Sequence, residues 1–168
     1  MRLSDIKLAH KLILGFASIF IPMIIISSNA YFCIAEISNE IHQITSNTFP
    51  KTVLINTAVE NLGVQAQSLR NLLIEQSQEK INADEQIIKQ TGEKIHQVLA
   101  EFESKIVTQQ GREKFVDVAT YRTKFVQSRE KYTQLVNDGQ FEQAKQFLLK
   151  DIEPLQANYV QALHDLND

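Results

Sequence analysis

Cationic side chains that lie beside apolar residues are the groups of this sequence best suited to hold a small ligand. Arg70 directly follows Leu69, and Arg122 and Arg129 lie on either side of Phe125. Guanidinium groups form bidentate hydrogen bonds with carboxylates. We therefore expect a binding site for a small carboxylate, such as an amino or organic acid. Its predicted ligand-binding residues are Arg70, Arg129 and Lys150.

The alternative for these cations is an ordinary solvated surface. Long basic side chains can extend outward and pair with nearby carboxylates, and such exposed ion pairs contribute little. The candidate partners for this arrangement are Glu75, Glu130 and Glu153.

Residues for catalysis or metal binding do not form a recognisable pattern. The sequence has no Gly-rich phosphate loop, no nucleophile elbow and no metal-spaced histidine pair. Its four histidines are scattered, and the single cysteine, Cys33, excludes an intramolecular disulfide. A net charge of −3 argues against a nucleic-acid binder. We expect a protein that is not an enzyme and has no cofactor, no metal site and no nucleic-acid partner.

The N-terminal part predicts a membrane helix. Residues 12–35 carry no charged side chain, and a helix of this length can cross a hydrocarbon core of about 30 Å. The preceding residues 1–11 contain Arg2, Lys7 and Lys11, which favour a cytoplasmic N-terminus. We expect a single span in the inner (cell) membrane, with residues 36–168 outside the cytoplasm. A signal peptide cleaved after Ala30 is the alternative.

Apolar residues in residues 36–168 recur with helical spacing and predict four helices. The predicted bounds are about 36–78, 82–108, 111–138 and 141–168, with bends at Pro50 and Pro154. Asn82 is the expected N-cap of the second helix, with Glu85 in capping-box position. Gly111 is the expected C-cap of the same helix. The fold class is therefore all-α, with an antiparallel up-down-up-down four-helix bundle after the membrane helix.

The predicted bundle places the cationic residues and one apolar stripe. Arg70, Arg129 and Lys150 fall at one level, about 12 Å below the tip at about 1.5 Å per residue. Ile37, Ile41 and Ile44 continue the membrane helix at heptad spacing and lack a partner within the bundle. We expect them to form the interface of a parallel homodimer. We also expect the chain to continue past Asp168 into a second membrane helix.

Three segments of the sequence resemble bacterial methyl-accepting chemotaxis proteins. The opening IKLAHKLILGFASIF resembles the start of these proteins, and FPKTVLINTAVENLGVQAQSLRNLLIEQ is similar to the first long helix of their sensor bundle. VNDGQFEQAKQFLLKDIEPLQ resembles the turn and fourth helix of the same bundle. The order and spacing of these segments cover essentially the whole chain.

The resemblance implies the ligand-sensing portion of a dimeric transmembrane chemoreceptor. It favours Arg70 in particular, because this family uses first-helix arginines to hold small anions. The same module also precedes histidine kinases and cyclic-dinucleotide enzymes, so the sensor input of such a protein remains an alternative. A further alternative is an exported helical adaptor whose signal peptide is removed.

Overall fold

The computed structural model describes the backbone of residues 8–75 and 77–167, and the side chains in these ranges except those of residues 8–11, 14, 47 and 167. It contains six α-helices in these ranges: α1 (Leu8–Gln43), α2 (Phe49–Asn71), α3 (Gln78–Ser104), α4 (Gln109–Asn137), α5 (Phe141–Phe147) and α6 (Glu153–Asn167). Two π-helical segments, Ile44–Thr48 and Leu148–Ile152, lie between α1 and α2 and between α5 and α6. The all-α prediction is therefore confirmed.

The chain divides into two compact units, the first ending at Thr48 and the second beginning at Phe49. In the first unit, α1 exposes nearly all of its large apolar side chains and contains Pro22. Among the described helices, one near the N-terminus is long and apolar enough to cross a membrane by length and composition, with an 18-residue stretch of mean hydropathy 1.8. Of the predicted cytoplasmic segment 1–11, residues 1–7 lie outside the described residues.

The second unit is a bundle of four long elements, which are α2, α3, α4 and a fourth element made of α5, the second π-helical segment and α6. All four bury the same kind of apolar stripe. In it α2 packs along α3, α4 packs along α6, and α2 also contacts α6. Each element buries apolar residues at every seventh position, the heptad period of packed helices. These residues are Ile55, Leu62 and Leu69 of α2, Ile88, Ile95 and Phe102 of α3, Val118, Phe125 and Tyr132 of α4, and Ile152, Tyr159 and Leu166 of the fourth element. The four-helix-bundle prediction is confirmed.

The helix ends differ from the sequence prediction at the first turn of the bundle. The helix expected to run to about Gln78 ends at Asn71, and α3 begins at Gln78 with Ser77 as its N-cap residue. The N-cap predicted at Asn82 is wrong, because Asn82 lies inside α3 and accepts a hydrogen bond from Gln78. The additional turn carries Ile81, which packs against the core, and this burial favours an earlier start.

The second turn also differs from its prediction. Gly111 is not a C-cap, since it lies in the first turn of α4 and its N–H donates to Oγ1 of Thr108 at 3.0 Å. A Cβ atom at Gly111 would lie 2.9 Å from that oxygen, so glycine suits this N-terminal cap. The C-cap of α3 is Lys105.

The third turn agrees with its prediction. Gly139 has a φ of 73°, and its N–H donates to the carbonyl of Val136 at 3.0 Å. A positive φ after the end of α4 is the usual way in which a glycine ends a helix. The sequence Asn-Asp-Gly therefore joins two helices, in agreement with the predicted helix bounds 111–138 and 141–168.

Proline explains the position of both π-helical segments along the chain. The first π-helical segment ends at Thr48, two residues before Pro50. The second ends at Ile152, two residues before Pro154. Proline has no N–H and its ring collides with the carbonyl four residues earlier, so the preceding turn cannot keep regular α-helical hydrogen bonds. A wider π turn is one way to accommodate this.

Candidate functional site

A cleft in the second unit is lined by residues from all four of its long elements. α2 contributes Gln65, α6 contributes Tyr159, and the rest come from α3 and α4. The volume of the cleft is about 350 Å³, which lies in the range of small-molecule sites. The lining from α3 is Glu85, Ile88, Lys89, Gly92, Glu93, Ile95 and His96, and that from α4 is Arg122, Phe125, Val126 and Arg129.

Arg129 is a partly buried charged group of the cleft that contacts α2. Its Nη1 lies 3.5 Å from Oε1 of Gln65, and the Nε2 of Gln65 donates to the carbonyl of Ile88 at 3.0 Å. Gln65 is itself almost fully buried at 1% exposure, so its amide has no solvent alternative to these partners. Gln65 therefore connects α2 to both α3 and α4.

Gly92 allows these polar groups to approach the backbone of α3. A Cβ atom at this position would lie 3.1 Å from both Nη1 of Arg129 and Nε2 of Gln65. Such a contact is tighter than ordinary van der Waals packing, so a larger residue would displace one of the two side chains. Glycine in the middle of a helix costs about 1 kcal/mol relative to alanine. The close approach of Arg129 and Gln65 gives this glycine a packing role.

Burial and charge both act on the ionisable groups of the cleft. Burial lowers the pKa of Arg129, nearby Glu130 raises it, and the charge of Arg122 lowers it. Arg129 nevertheless remains protonated at physiological pH, as arginine does in proteins. Because Arg129 is partly desolvated, its attraction to an anionic partner is stronger than it would be at the surface.

Tyr159 places a buried polar atom beside the same cleft. Its ring centroid lies 6.1 Å from that of Phe125, and its side chain is 1% exposed. Its hydroxyl has no hydrogen-bond partner in the described part of the chain. Burial raises the pKa of Tyr159, and the charge of Arg122 acts in the opposite direction. An unpaired buried hydroxyl is costly and therefore uncommon.

The structure brings Arg129 into the cleft but places the other two predicted ligand-binding residues elsewhere. Arg70 pairs with Glu153, its Nη2 lying 3.0 Å and its Nε 3.1 Å from the same Oε1 atom. This is one of the surface pairs named in the alternative interpretation. Lys150 is exposed in the second π-helical segment and lines a separate groove beside Lys131 and Asp151. A ligand-binding role for each of the three remains a prediction.

Sequence reasoning missed Gln65, Gly92 and Tyr159 as residues of a site. Gln65 occupies a core-facing position between Leu62 and Leu69, and this polar residue among apolar ones was the available signal. Gly92 was a second signal, since it interrupts a helix at no turn. Tyr159 gave none, because an aromatic residue at heptad spacing reads as core. In the part of the chain that the structure describes, no three His, Cys, Asp or Glu side chains could hold a metal ion.

Comparison with known proteins agrees with this architecture. A family model described as a four helix bundle sensory module for signal transduction matches residues 5–168, which is nearly the whole chain. A comparison with curated proteins found no match. The described role of the family is sensory and not catalytic. The chain belongs to the family of four-helix-bundle sensory modules for signal transduction.

Proposed function

We propose that the chain is the ligand-sensing portion of a transmembrane chemoreceptor of the methyl-accepting kind, which passes small-molecule binding across the membrane as a helix shift. The observation that carries this proposal is the cleft lined by all four long elements of the bundle. A ligand in such a cleft contacts every helix at once, and it can therefore favour one packing of the helices over another. Its predicted chemical class is a small amino or organic acid.

Charge and hydropathy support the membrane arrangement of this proposal. Arg2, Lys7 and Lys11 precede the apolar part of α1, and basic residues on this side favour a cytoplasmic N-terminus. The bundle then lies outside the cytoplasm, and α1 crosses the inner membrane once. This arrangement leaves ligand and signal on opposite sides of the membrane.

A homodimer is part of the proposal. Ile37, Ile41 and Ile44 are 55%, 58% and 58% exposed, so their heptad stripe has no cover within the described chain. A parallel partner helix would bury this stripe by coiled-coil packing.

Ligand binding acts on the signal only through a difference in affinity between two packings of the bundle. Helix shifts at interfaces in signalling proteins are typically about 1–2 Å. We therefore expect the ligand-bound and ligand-free states to differ by a displacement of this size between α2 and α6. Of these, α2 is the next α-helix after α1, and α6 is the last helix of the described chain.

Spin-label distances in the full chain test this proposal. Labels at Glu60 of α2 and Asn158 of α6, both exposed, are measured in lipid nanodiscs with Cys33 replaced by serine. Amino and organic acids that raise the melting temperature are then added. A change of about 1–2 Å in the label distance supports the proposal. An unchanged distance with a stabilising ligand contradicts it.

The N-terminus of the mature chain is determined in the same preparation. A chain that begins after Ala30 would lack the membrane helix and would favour the exported adaptor instead. An intact α1 with fused kinase or cyclic-dinucleotide enzyme sequences downstream would keep the sensor role and change only its output.

A further inference from the structure

Two arginines in the cleft lack a direct ion pair, although Glu130 acts on Arg129 electrostatically. Within the residues that the structure describes, neither Arg122 nor Arg129 has a carboxylate oxygen at ion-pair distance, although Arg70, Lys80 and Lys105 each have one. Arg122 and Arg129 are both partly buried, so water screens their charges less than at the surface. The two residues are seven positions apart on α4 and therefore lie on the same face of the helix.

The cleft has an excess of positive charge but also contains acidic residues. Lys89, Arg122 and Arg129 are cationic, whereas Glu85 and Glu93 are anionic, which leaves one net positive charge with His96 neutral. Glu85 already accepts a hydrogen bond from Asn137 at 3.4 Å. Arg122 and Arg129 thus form a cationic wall on α4, and their guanidinium groups have hydrogen-bond donors left for an anion.

Apolar side chains and the Tyr159 hydroxyl complete this wall. Ile95, Phe125 and Val126 present apolar surface next to the guanidinium groups. The buried hydroxyl of Tyr159 needs a hydrogen-bond partner, and a carboxylate oxygen is a strong acceptor. A ligand with one carboxylate and a small apolar body would satisfy the cations, the hydroxyl and the apolar wall together.

We propose that this cleft is an anion site inside a single subunit, in which Arg122 and Arg129 hold the carboxylate of a small organic acid and Tyr159 donates a hydrogen bond to it. Gln65 acts as a positioning residue, because it holds the guanidinium of Arg129 from the α2 side. Gly92 provides the space in which the two side chains meet. The site rests on the proposed sensory function and specifies the residues of one subunit that recognise the carboxylate.

Simple carboxylates and their neutral amides are the probes. Acetate, butyrate and fluorobenzoate are titrated against the full chain in lipid nanodiscs by calorimetry, with acetamide, butyramide and fluorobenzamide as matched neutral compounds. We expect at least one carboxylate to bind roughly tenfold or more tightly than its amide, since a charged hydrogen-bond partner adds about 1.5–3 kcal/mol. If no carboxylate binds more tightly than its amide, the proposal is wrong.

Substitution of Arg129 tests the location of the site. Arg129→Gln keeps a polar side chain, and we expect it to weaken carboxylate binding roughly 10- to 100-fold. Arg112→Gln is the matched control, because Arg112 is an exposed arginine of α4 that does not line the cleft. A variant Arg70→Ala separates this site from the arrangement predicted by the sequence. A loss of affinity in Arg70→Ala with none in Arg129→Gln would overturn the proposal.

Gly92→Ala provides a second test that does not remove a charge. The added methyl group displaces Arg129 or Gln65 by a few tenths of an ångström, while alanine improves helix propensity. We expect binding to weaken roughly three- to tenfold in a chain that melts no lower than the parent. Gly63→Ala is its control, since a Cβ atom at Gly63 of α2 meets nothing within 4 Å. Equal binding by both glycine variants would count against the site.

The two proposals fail in different ways. Carboxylate binding that depends on Arg129 but changes no distance between α2 and α6 would retain this site and contradict the sensory mechanism. A distance change caused by a ligand whose affinity is unaffected by Arg129→Gln and Gly92→Ala would retain the sensory function and overturn this site.

Discussion

The substitution Tyr132→Phe tests how α2 is held at its C-terminal end. The hydroxyl of Tyr132 donates to the carbonyl of Leu69 at 2.5 Å, and Tyr132 is completely buried. In a continued helix the N–H of Leu73 would donate to that carbonyl, but it donates to the carbonyl of Arg70 instead. Tyr132 thus satisfies one of the carbonyls that a helix end leaves without a partner.

The expected cost follows from the group that is left behind. Phenylalanine preserves the ring packing and removes only the hydroxyl, so the carbonyl of Leu69 becomes a buried acceptor without a donor. Such a group costs about 1–3 kcal/mol. For a bundle of this size, we expect Tyr132→Phe to lower the melting temperature by roughly 4 to 12 °C. Urea and thermal unfolding of the full chain in nanodiscs, followed by circular dichroism, measure the change.

Tyr159→Phe is the matched control in the same bundle. Its hydroxyl is equally buried but has no partner, so its removal relieves a desolvation penalty. We expect the ligand-free Tyr159→Phe chain to be as stable as the parent or more stable by about 1 kcal/mol. Equal losses of stability in the two variants would show that the hydrogen bond to Leu69 is not what distinguishes them, and would refute this reasoning.

Three further predictions concern pH, helix propensity and assembly. Burial raises the pKa of both Tyr132 and Tyr159, so the folded chain keeps protons that the unfolded chain releases above a pH of about 10. Urea unfolding should therefore show that the free energy of unfolding falls as the pH rises through that value. The fall should be smaller in either phenylalanine variant. Gly63→Ala should raise the free energy of unfolding by about 0.5–1 kcal/mol in the same assay, and a decrease would mean that the glycine is required there. Cysteine at Ile41, in a chain without the native cysteine, should crosslink between subunits in membranes, whereas crosslinking only at outward positions such as Asn39 would contradict the predicted dimer stripe.

The heptad period made the bundle predictable from the sequence. Residues such as Leu62, Phe125 and Tyr159 recur at helical spacing, and their burial depends mainly on that spacing. The turn after α4 was also predictable, because Gly139 supplies the positive φ that ends a helix. The ends of α2 and α3 were not, since Leu72 just after α2 is buried and Ile81 in α3 packs against the core, and such packing cannot be read from local cap residues.

The cleft was predictable only in part, because it depends on contacts between residues far apart in the chain. Arg129 could be selected as a cation beside an apolar stripe, and the structure places it in the cleft. The same rule selected Arg70, which pairs with Glu153 at 3.0 Å. Counting residues from the helix ends placed both arginines at the same distance below the tip of the bundle. It could not indicate the direction in which each side chain points.

Polar contacts hold α2 to the other helices with unequal strength, and this inequality suits the proposed signal. The hydrogen bond from Tyr132 to Leu69 is short and buried, whereas the contact from Arg129 to Gln65 is long at 3.5 Å. In the proposed site, Gln65 keeps its contact with Nη1 while a carboxylate binds the other guanidinium nitrogens of Arg129, and we expect the long contact to Gln65 to adjust first. We expect the buried hydrogen bond to keep the end of α2 in place while its middle repacks. Since α2 follows α1 in the chain, the helix that we expect to respond to the ligand is next in sequence to the proposed membrane helix.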